Sequence, residues 1–482
     1  MQIRTILRML GLLVGIFSFT LLPPAVIAYF YEDGGGWAFS SAFLLSLVVG
    51  FLMWFANRDY RSELKTREGF IIVVMFWVVL GTVGAIPFWM PDDYTLTFTD
   101  AMFESFSALT TTGATVLTGI EELPHSYRFY RQQLQWMGGM GIIVLAVAIL
   151  PLLGIGGLQL YRAETPGPMK DKKLTPRIAD TAKQLWYIYL SMTVACAVAL
   201  WLAGMRPFDA IGHAFSTVAI GGFSTHDASI GYFNSWVIDL IIVFFLLLAA
   251  VNFSLHFAAY RGKSIKTYWR DPEFKALIGI QGILMLITVL TLWWKSDLSV
   301  SSAWIDGIFQ SVSISTTAGF TTTDYTLFPL FLPILLIFSS FIGGSAGSTG
   351  GGLKVIRVAL LYRQGKREIN RLIHPKGTFT VKWGKRALPD RVVQAVWGFF
   401  AAYALIFVVL MLGFIATGLD DYSAFGATVA TLNNLGPGLG EVASNFQSVS
   451  DGGKWIAIIA MMFGRLEVFT LLVLFTPTFW KH

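Results

Sequence analysis

Long apolar runs separated by short polar stretches set the rhythm of this chain. Runs of about 20 apolar residues match the helix needed to cross a hydrocarbon core of ~30 Å. They lie near residues 9–30, 38–56, 70–90, 134–157, 185–204, 236–258, 276–294, 327–343, 392–416 and 455–476, and a further apolar stretch falls at 353–362. The pattern predicts ten membrane spans. Arg4 and Arg8 precede the first run, as in a signal peptide, but its uncharged core from Met9 to Tyr31 outlasts a signal h-region of roughly 7–15 residues. It is read as a retained helix.

Composition agrees with the pattern. Of 482 residues, 55% are hydrophobic and 13% charged, about half the charged fraction of a soluble domain. An integral membrane protein follows. Cys196 is the single cysteine, which excludes a disulfide within the chain and a cysteine-rich metal site.

Charge then orients the spans. With the N-terminus inside, 29 of the 35 Lys and Arg fall on the inner side, 11 of them within 354–391. Arg128, Arg131, Arg206, Lys295 and Lys454 fall outside, and Arg465 alone lies in a span. Acidic residues run the other way, 17 outside against 10 inside. This bias places both termini in the cytoplasm.

The outer stretches hide a fourfold repeat. Aligned on one glycine they read DAMFESFSALTTTGAT (Asp100–Thr115), DAIGHAFSTVAIGGFS (Asp209–Ser224), DGIFQSVSISTTAGFT (Asp306–Thr321) and SAFGATVATLNNLGPG (Ser423–Gly438). The first residue stands 13 positions before the aligned glycine in all four. One copy reads as an ordinary polar loop; four in register call for a repeat. Asp or Ser at the start is expected to cap a helix of ~11 residues, ~16 Å long, which enters the membrane and stops halfway. The chain must then return as non-helical backbone, tolerated at that depth only where it lines a water-filled path or is buried in protein.

Four return loops around one axis would stack carbonyl oxygens from Thr110-Thr111-Thr112-Gly113, Ala219-Ile220-Gly221-Gly222, Thr316-Thr317-Ala318-Gly319 and Asn433-Asn434-Leu435-Gly436. Such rings replace the hydration shell of a monovalent cation, and the negative ends of four short helices favour a cation there. The expected fold class is an all-α polytopic membrane protein: four span–half-helix–span units around one central pore, plus two extra N-terminal helices. The divisions are 1–66 for the extension and 67–165, 166–265, 266–375 and 376–482 for the repeats.

These units, with TTTGAT, AIGGFS, TTAGFT and NNLGPG, resemble the Trk/Ktr/HKT potassium transporter superfamily over nearly the whole chain, and the extra N-terminal spans resemble its TrkH-type branch. The resemblance implies potassium uptake, with K+ held at the filter residues as the transported ligand. It also implies potassium preference, because relatives with Ser at the first filter glycine lean toward sodium and this chain has Gly113. The fourth unit departs mildly, with Ser423 in place of Asp and Pro437 after the glycine.

Two features point to a gate. The stretch Gly343, Gly344, Ser345, Ala346, Gly347, Ser348, Thr349, Gly350, Gly351, Gly352 interrupts the third post-filter helix, and Leu353 separates it from Lys354, which breaks the Walker A order. Six glycines, each ~1 kcal/mol poorer than Ala in a helix, make a loop that can line the pore and move. In the family the corresponding loop is a gate. Arg465 either pairs with Glu467 and snorkels, or stands beneath the filter as a positive charge that retards cations, as the matching family arginine is thought to do.

The resemblance further implies a homodimer and a cytosolic ring of RCK-type, TrkA-like regulatory subunits. Any ATP, ADP or NAD would bind that partner, since this chain shows no nucleotide fold. The basic segment 354–391 would meet that partner or anionic lipid. A symporter coupled to H+ or Na+ is the alternative, with Asp239 the acid best placed within the membrane to serve it. An enzyme is excluded, because the histidines His125, His213, His226, His256, His374 and His482 are scattered and no catalytic cluster is seen. The expected location is the bacterial cytoplasmic (inner) membrane.

Overall fold

The computed structural model describes residues 2–60, 66–90, 96–141, 178–296, 299–384, 386–466 and 468–480. Part of the expected span 134–157, the repeat boundary at 165/166 and Glu467 lie outside the described residues.

The N-terminal extension comprises α1 (Ile3–Ser18), α2 (Leu22–Tyr31) and α3 (Gly36–Ala56). A 3-10 turn joins α1 to α2, and α1 packs along α3 and α4. Four units follow. The first is α4 (Thr66–Trp89), α5 (Phe98–Leu109) and α6 (His125–Trp136), with a π-turn at Met137–Gly141. The second is α7 (Ile178–Leu202), α8 (Pro207–Ala219), α9 (Trp236–Ala249) and α10 (Phe253–Arg261). After the short α11 (Lys266–Arg270) come α12 (Pro272–Lys295), α13 (Val300–Ser315), α14 (Leu332–Ser339) and α15 (Val355–Ile373). The last is α16 (Asp390–Ala416), α17 (Asp421–Leu432), α18 (Asp451–Arg465) and α19 (Val468–Leu472), with α20 (Pro477–Trp480) at the end. A two-residue hairpin, Lys382–Trp383 against Arg386–Ala387, is the one β feature among the described residues.

The short helices α5, α8, α13 and α17 have 12, 13, 16 and 12 residues, or roughly 18–24 Å at 1.5 Å per residue. At that length they are too short to cross a hydrocarbon core of about 30 Å. Their caps correct the sequence expectation. Thr97 caps α5 and Asp420 caps α17, while Arg206, followed by Pro207, starts α8. Asp100, Asp209 and Ser423 are therefore first-turn residues three places inside the cap, and Thr97 and Asp100 bond to each other. In the third unit the cap is Ser299, seven residues before Asp306.

Six helices among the described residues are long and apolar enough to cross, eight if two bent pairs are each one span. Three of the four post-loop segments depart from a straight span among the described residues. The second post-loop helix breaks at Ala250–Asn252 and turns by 88°, with Asn252 capping α10. The fourth turns by 113° after Arg465. The third is only eight residues long before the glycine-rich stretch, and the first runs through the π-turn Met137–Gly141 to the limit of the described residues. Apolar content alone made these runs read as single helices; the bends are backbone features that hydropathy does not report.

Each post-loop helix packs on the next unit's short helix: α6 on α8, α9 on α13, and α18 on α5. Between α14 and α17, Leu332, Leu336 and Ile337 share a core with Val429 and Leu435. Large apolar side chains such as Phe30, Trp294 and Leu405 point outward, as suits a hydrocarbon solvent.

Candidate functional site

The four return loops share one backbone path. Thr111, Ile220, Thr317 and Asn434 take left-handed φ of 54°, 53°, 70° and 53°, and the glycine two residues later is also positive, at 80°, 79°, 78° and 96°. The next residue, Thr112, Gly221, Ala318 or Leu435, donates its N–H to the carbonyl of Ser107, Ser216, Ser313 or Ala430 at 2.8–2.9 Å. Each short helix thus ends in the same tight cap, which frees the following carbonyls from helical bonding.

The glycines then close a cycle. A Cβ on Gly113 would collide with the Gly221 carbonyl oxygen, one on Gly222 with that of Ala318, one on Gly319 with that of Leu435, and one on Gly436 with that of Thr112. First unit touches second, second third, third fourth, and fourth first. No side chain fits at any of the four seams, so the positive φ and the close approach both demand glycine.

Side chains behind the loops hold this geometry. Gln135 donates to the Gly221 carbonyl at 2.6 Å and accepts from Phe223 N. Asn434 donates to the Thr112 hydroxyl at 2.9 Å and to the Met461 carbonyl. Thr110 donates to Phe106 O and shares a hydrogen bond with Thr112. Asn433 is held by the Tyr403 and Ser340 hydroxyls, and the Thr316 hydroxyl donates to Val312 O. Ala219 is fully buried.

The glycine-rich stretch lies against the helix ends beneath these loops. Thr349 donates to the Val218 carbonyl at 3.0 Å, Gly351 N to the Thr317 hydroxyl at 2.7 Å, and Gly352 N to the Asn433 carbonyl at 3.1 Å. A Cβ on Gly350 would press on Thr316 O, and one on Gly351 would collide with Asn433 O. Gly343 and Gly347 have positive φ, Gly344 O accepts from Val355 N, and Ser345 N donates to Ala250 O at the break of the second unit. Ala346 N donates to Glu273 at 2.8 Å, Ser348 donates to Ser345 O, and Lys354 reaches back to Gly350 O. The stretch therefore spans the second, third and fourth units.

Arg465 supplies the remaining side. Its guanidinium donates to the Thr111 hydroxyl at 3.1 Å, to Thr349 O at 3.0 Å, and to Gly138 O and Gly139 O of the π-turn at 2.5 and 2.8 Å. Of the two sequence readings, this half-buried position joins Arg465 to the first return loop and the glycine-rich stretch; Glu467 lies outside the described residues.

Two of the cations that the sequence puts on the outer side are buried in ion pairs. Lys454 pairs with Asp100 at 2.7 Å, and Arg131 pairs with Glu104 at 2.5 Å, both members of the latter fully buried. Glu104, Arg131 and Gln135 escaped the sequence reading. Their signal was the polar string RQQLQ at Arg131–Gln135 and an acid four residues inside a membrane-entering helix. Asp239 is buried in the first turn of α9, at the helix start rather than mid-span. His213 is buried behind the second return loop, and His226 lies 3.4 Å from Glu121 and 3.5 Å from Asp209. No group of three or more His, Cys, Asp or Glu is arranged to hold a metal ion among the described residues.

Four membrane-entering half-helices with return loops closing a cycle define a polytopic helical transport protein. A family model described as "TrkH: Cation transport protein" matches residues 35–482, so the chain belongs to the TrkH family. It is 63% identical to the Trk system potassium uptake protein TrkH of Vibrio parahaemolyticus and 61% identical to that of Escherichia coli K12, each over the full length of both chains. The Trk system potassium uptake protein TrkG of E. coli K12 is 42% identical over 100% of this chain and 99% of its own. The crystal structure of the potassium transporter TrkH from V. parahaemolyticus superposes with a TM-score of 0.91 at 61% identity, covering all of both chains.

Proposed function

We propose that this chain carries K+ into the cell across the bacterial cytoplasmic membrane, through a filter made of backbone carbonyls from the four return loops. The cyclic contact of Gly113, Gly222, Gly319 and Gly436 with neighbouring carbonyls carries the reading. It sets four copies of one backbone turn around an axis, where carbonyl dipoles substitute for the water shell of a monovalent cation. The ends of α5, α8, α13 and α17 add their partial negative charge.

The glycine-rich stretch and Arg465 form the gate. The stretch obstructs the path beneath the filter, and Arg465 adds a positive charge while tying the stretch to the Thr111 hydroxyl. Both termini face the cytoplasm, in keeping with the excess of Lys and Arg on that side. The amphipathic α15, with Tyr362, Ile369 and Leu372 exposed beside its basic residues, suits docking of an RCK-type nucleotide-binding ring. Nucleotide binds that ring, and the protein works as a homodimer.

Reconstitution in planar bilayers under a K+ gradient tests the reading. Unitary currents that reverse at the K+ equilibrium potential at any bath pH support a filter and a gate. Uptake locked to a fixed number of H+ or Na+ per K+ would replace it with coupled symport.

A further inference from the structure

The geometry points to the buried pair Glu104–Arg131 as positioning residues that fix the spacing of the carbonyl ring and so its choice between K+ and Na+; this rests on the filter reading above.

The four units share a tie behind the return loop. The residue four places after Asp100, Asp209, Asp306 and Ser423 is Glu104, His213, Gln310 and Ala427. The Thr115 hydroxyl, two residues beyond the first ring glycine, donates to both Glu104 carboxylate oxygens at 3.0–3.1 Å, and Val116 N donates to one at 3.2 Å. His213 Nε2 bonds the Ser224 hydroxyl, again two residues beyond the glycine, at 2.8 Å. Gln310 donates to Thr323 O at 3.0 Å. In the fourth unit, where Ala427 has no polar atom, the Tyr325 hydroxyl of the third unit donates to Gly438 O, two residues past Gly436.

The first tie differs from the others because it is ionic. Arg131 Nε meets Glu104 at 2.5 Å, Nη2 donates to the Thr115 hydroxyl at 3.0 Å, and Nη1 reaches Ser224 O of the second unit at 3.4 Å. Its guanidinium also lies 4.1 Å from the centre of the Phe223 ring. One side chain therefore grips the strand after Gly113 and the strand after Gly222, across the seam where Gly113 abuts Gly221. A buried ion pair is weak support for stability but a strong device for fixing a register. Because the two charges cancel, the pair sets geometry without adding net charge beside the ring.

The test measures the K+/Na+ permeability ratio and, separately, KM and maximal rate for K+ in proteoliposomes. Glu104→Gln leaves Arg131 without its anion, and Thr115→Val removes the shared hydroxyl while keeping the ion pair. Gly222→Ser serves as the reference for the filter itself. The K+/Na+ ratio is expected to fall about tenfold in Glu104→Gln and several-fold in Thr115→Val, as expected for one lost charged or neutral hydrogen bond. KM for K+ should rise more than the maximal rate falls, and Glu104→Asp should recover part of the ratio. If Glu104→Gln does not accumulate, Thr115→Val decides alone. An unchanged ratio in these variants, with Gly222→Ser lowering it, overturns the inference and leaves the filter standing. An unchanged ratio in all three removes both.

Discussion

Arg465 donates to the Thr349 carbonyl at 3.0 Å, so a cation from the last unit holds the glycine-rich stretch of the third. The same guanidinium reaches the Thr111 hydroxyl, which, under the proposed filter, puts a fixed positive charge where a cation leaving it must pass. A unit charge within ~5–10 Å of that cation costs roughly 2–3 kcal/mol at an effective dielectric near 20. Arg465→Ala should raise K+ conduction by about tenfold or more and leave the K+/Na+ ratio unchanged, because selectivity belongs to the carbonyls above. Arg465→Lys keeps the charge but loses the planar fork that serves four acceptors, so its conduction should fall between the two. Bilayer currents normalised to protein amount decide the matter. Lower current in a well-folded Arg465→Ala protein would contradict a charge barrier.

Gly222 sits against the Ala318 carbonyl with no room for a Cβ and at a φ of 79°. Gly222→Ser therefore strains the backbone and pushes one carbonyl off the ring at the seam between the second and third units. The K+/Na+ permeability ratio should fall by about tenfold, in line with ~1–2 kcal/mol of disturbed coordination and backbone strain. Proteoliposome flux with each cation measures it, and an unchanged ratio would move Gly222 out of the filter.

Much of this site is legible in the sequence because its repeat is spaced so regularly. Four glycines 13 residues after a polar start marked the ring, and the break in apolar content at Gly343–Gly352 marked the stretch below it. The capping residues were less legible. Asp100 and Asp209 carry the right chemistry for a cap, yet the chain starts each helix a turn earlier, where Thr97 or the Arg206-Pro207 pair ends the preceding segment. The bends at Ala250–Asn252 and after Arg465 were silent, since apolar residues surround them on both sides. The burial of Arg131 and Lys454 was silent for a related reason: the count of charges gives only a side of the membrane, and a tertiary partner, Glu104 or Asp100, is what buries each cation.

Thr349 ties the glycine-rich stretch, the proposed gate, to the second short helix through a hydrogen bond from its hydroxyl to the carbonyl of Val218 near the end of α8. Thr349→Val keeps the shape and removes that donor, at a cost of about 1 kcal/mol to the seated position of the stretch. Basal K+ flux, without any regulatory partner, should rise roughly fivefold. The K+/Na+ ratio should not change. Rubidium-tracer uptake into proteoliposomes reads the rate, and a fall in flux with intact folding would make the stretch a structural hinge instead.

Acid sensitivity should trace to Asp209, three residues inside the second short helix on the expected outer face. Its carboxylate accepts from the Thr225 hydroxyl at 2.6 Å and faces His226 Nε2 at 3.5 Å. Burial on its own would raise the pKa, but the nearby His226 imidazole and the hydrogen bond from Thr225 outweigh it and hold the group down to about 2. A carboxylate held lower in the folded state contributes stability that is fully present above its unfolded pKa. That contribution drains away as pH falls from about 4 toward 2. Asp209→Asn cannot titrate, so its thermal midpoint should start lower near neutral pH and drop less steeply between pH ~4 and ~2 than that of the parent protein. Melting curves in detergent at a series of pH values measure both slopes. Parallel slopes would show that Asp209 is not held low in the folded protein and that acid sensitivity arises elsewhere, with Glu121, also lowered, the next carboxylate to replace.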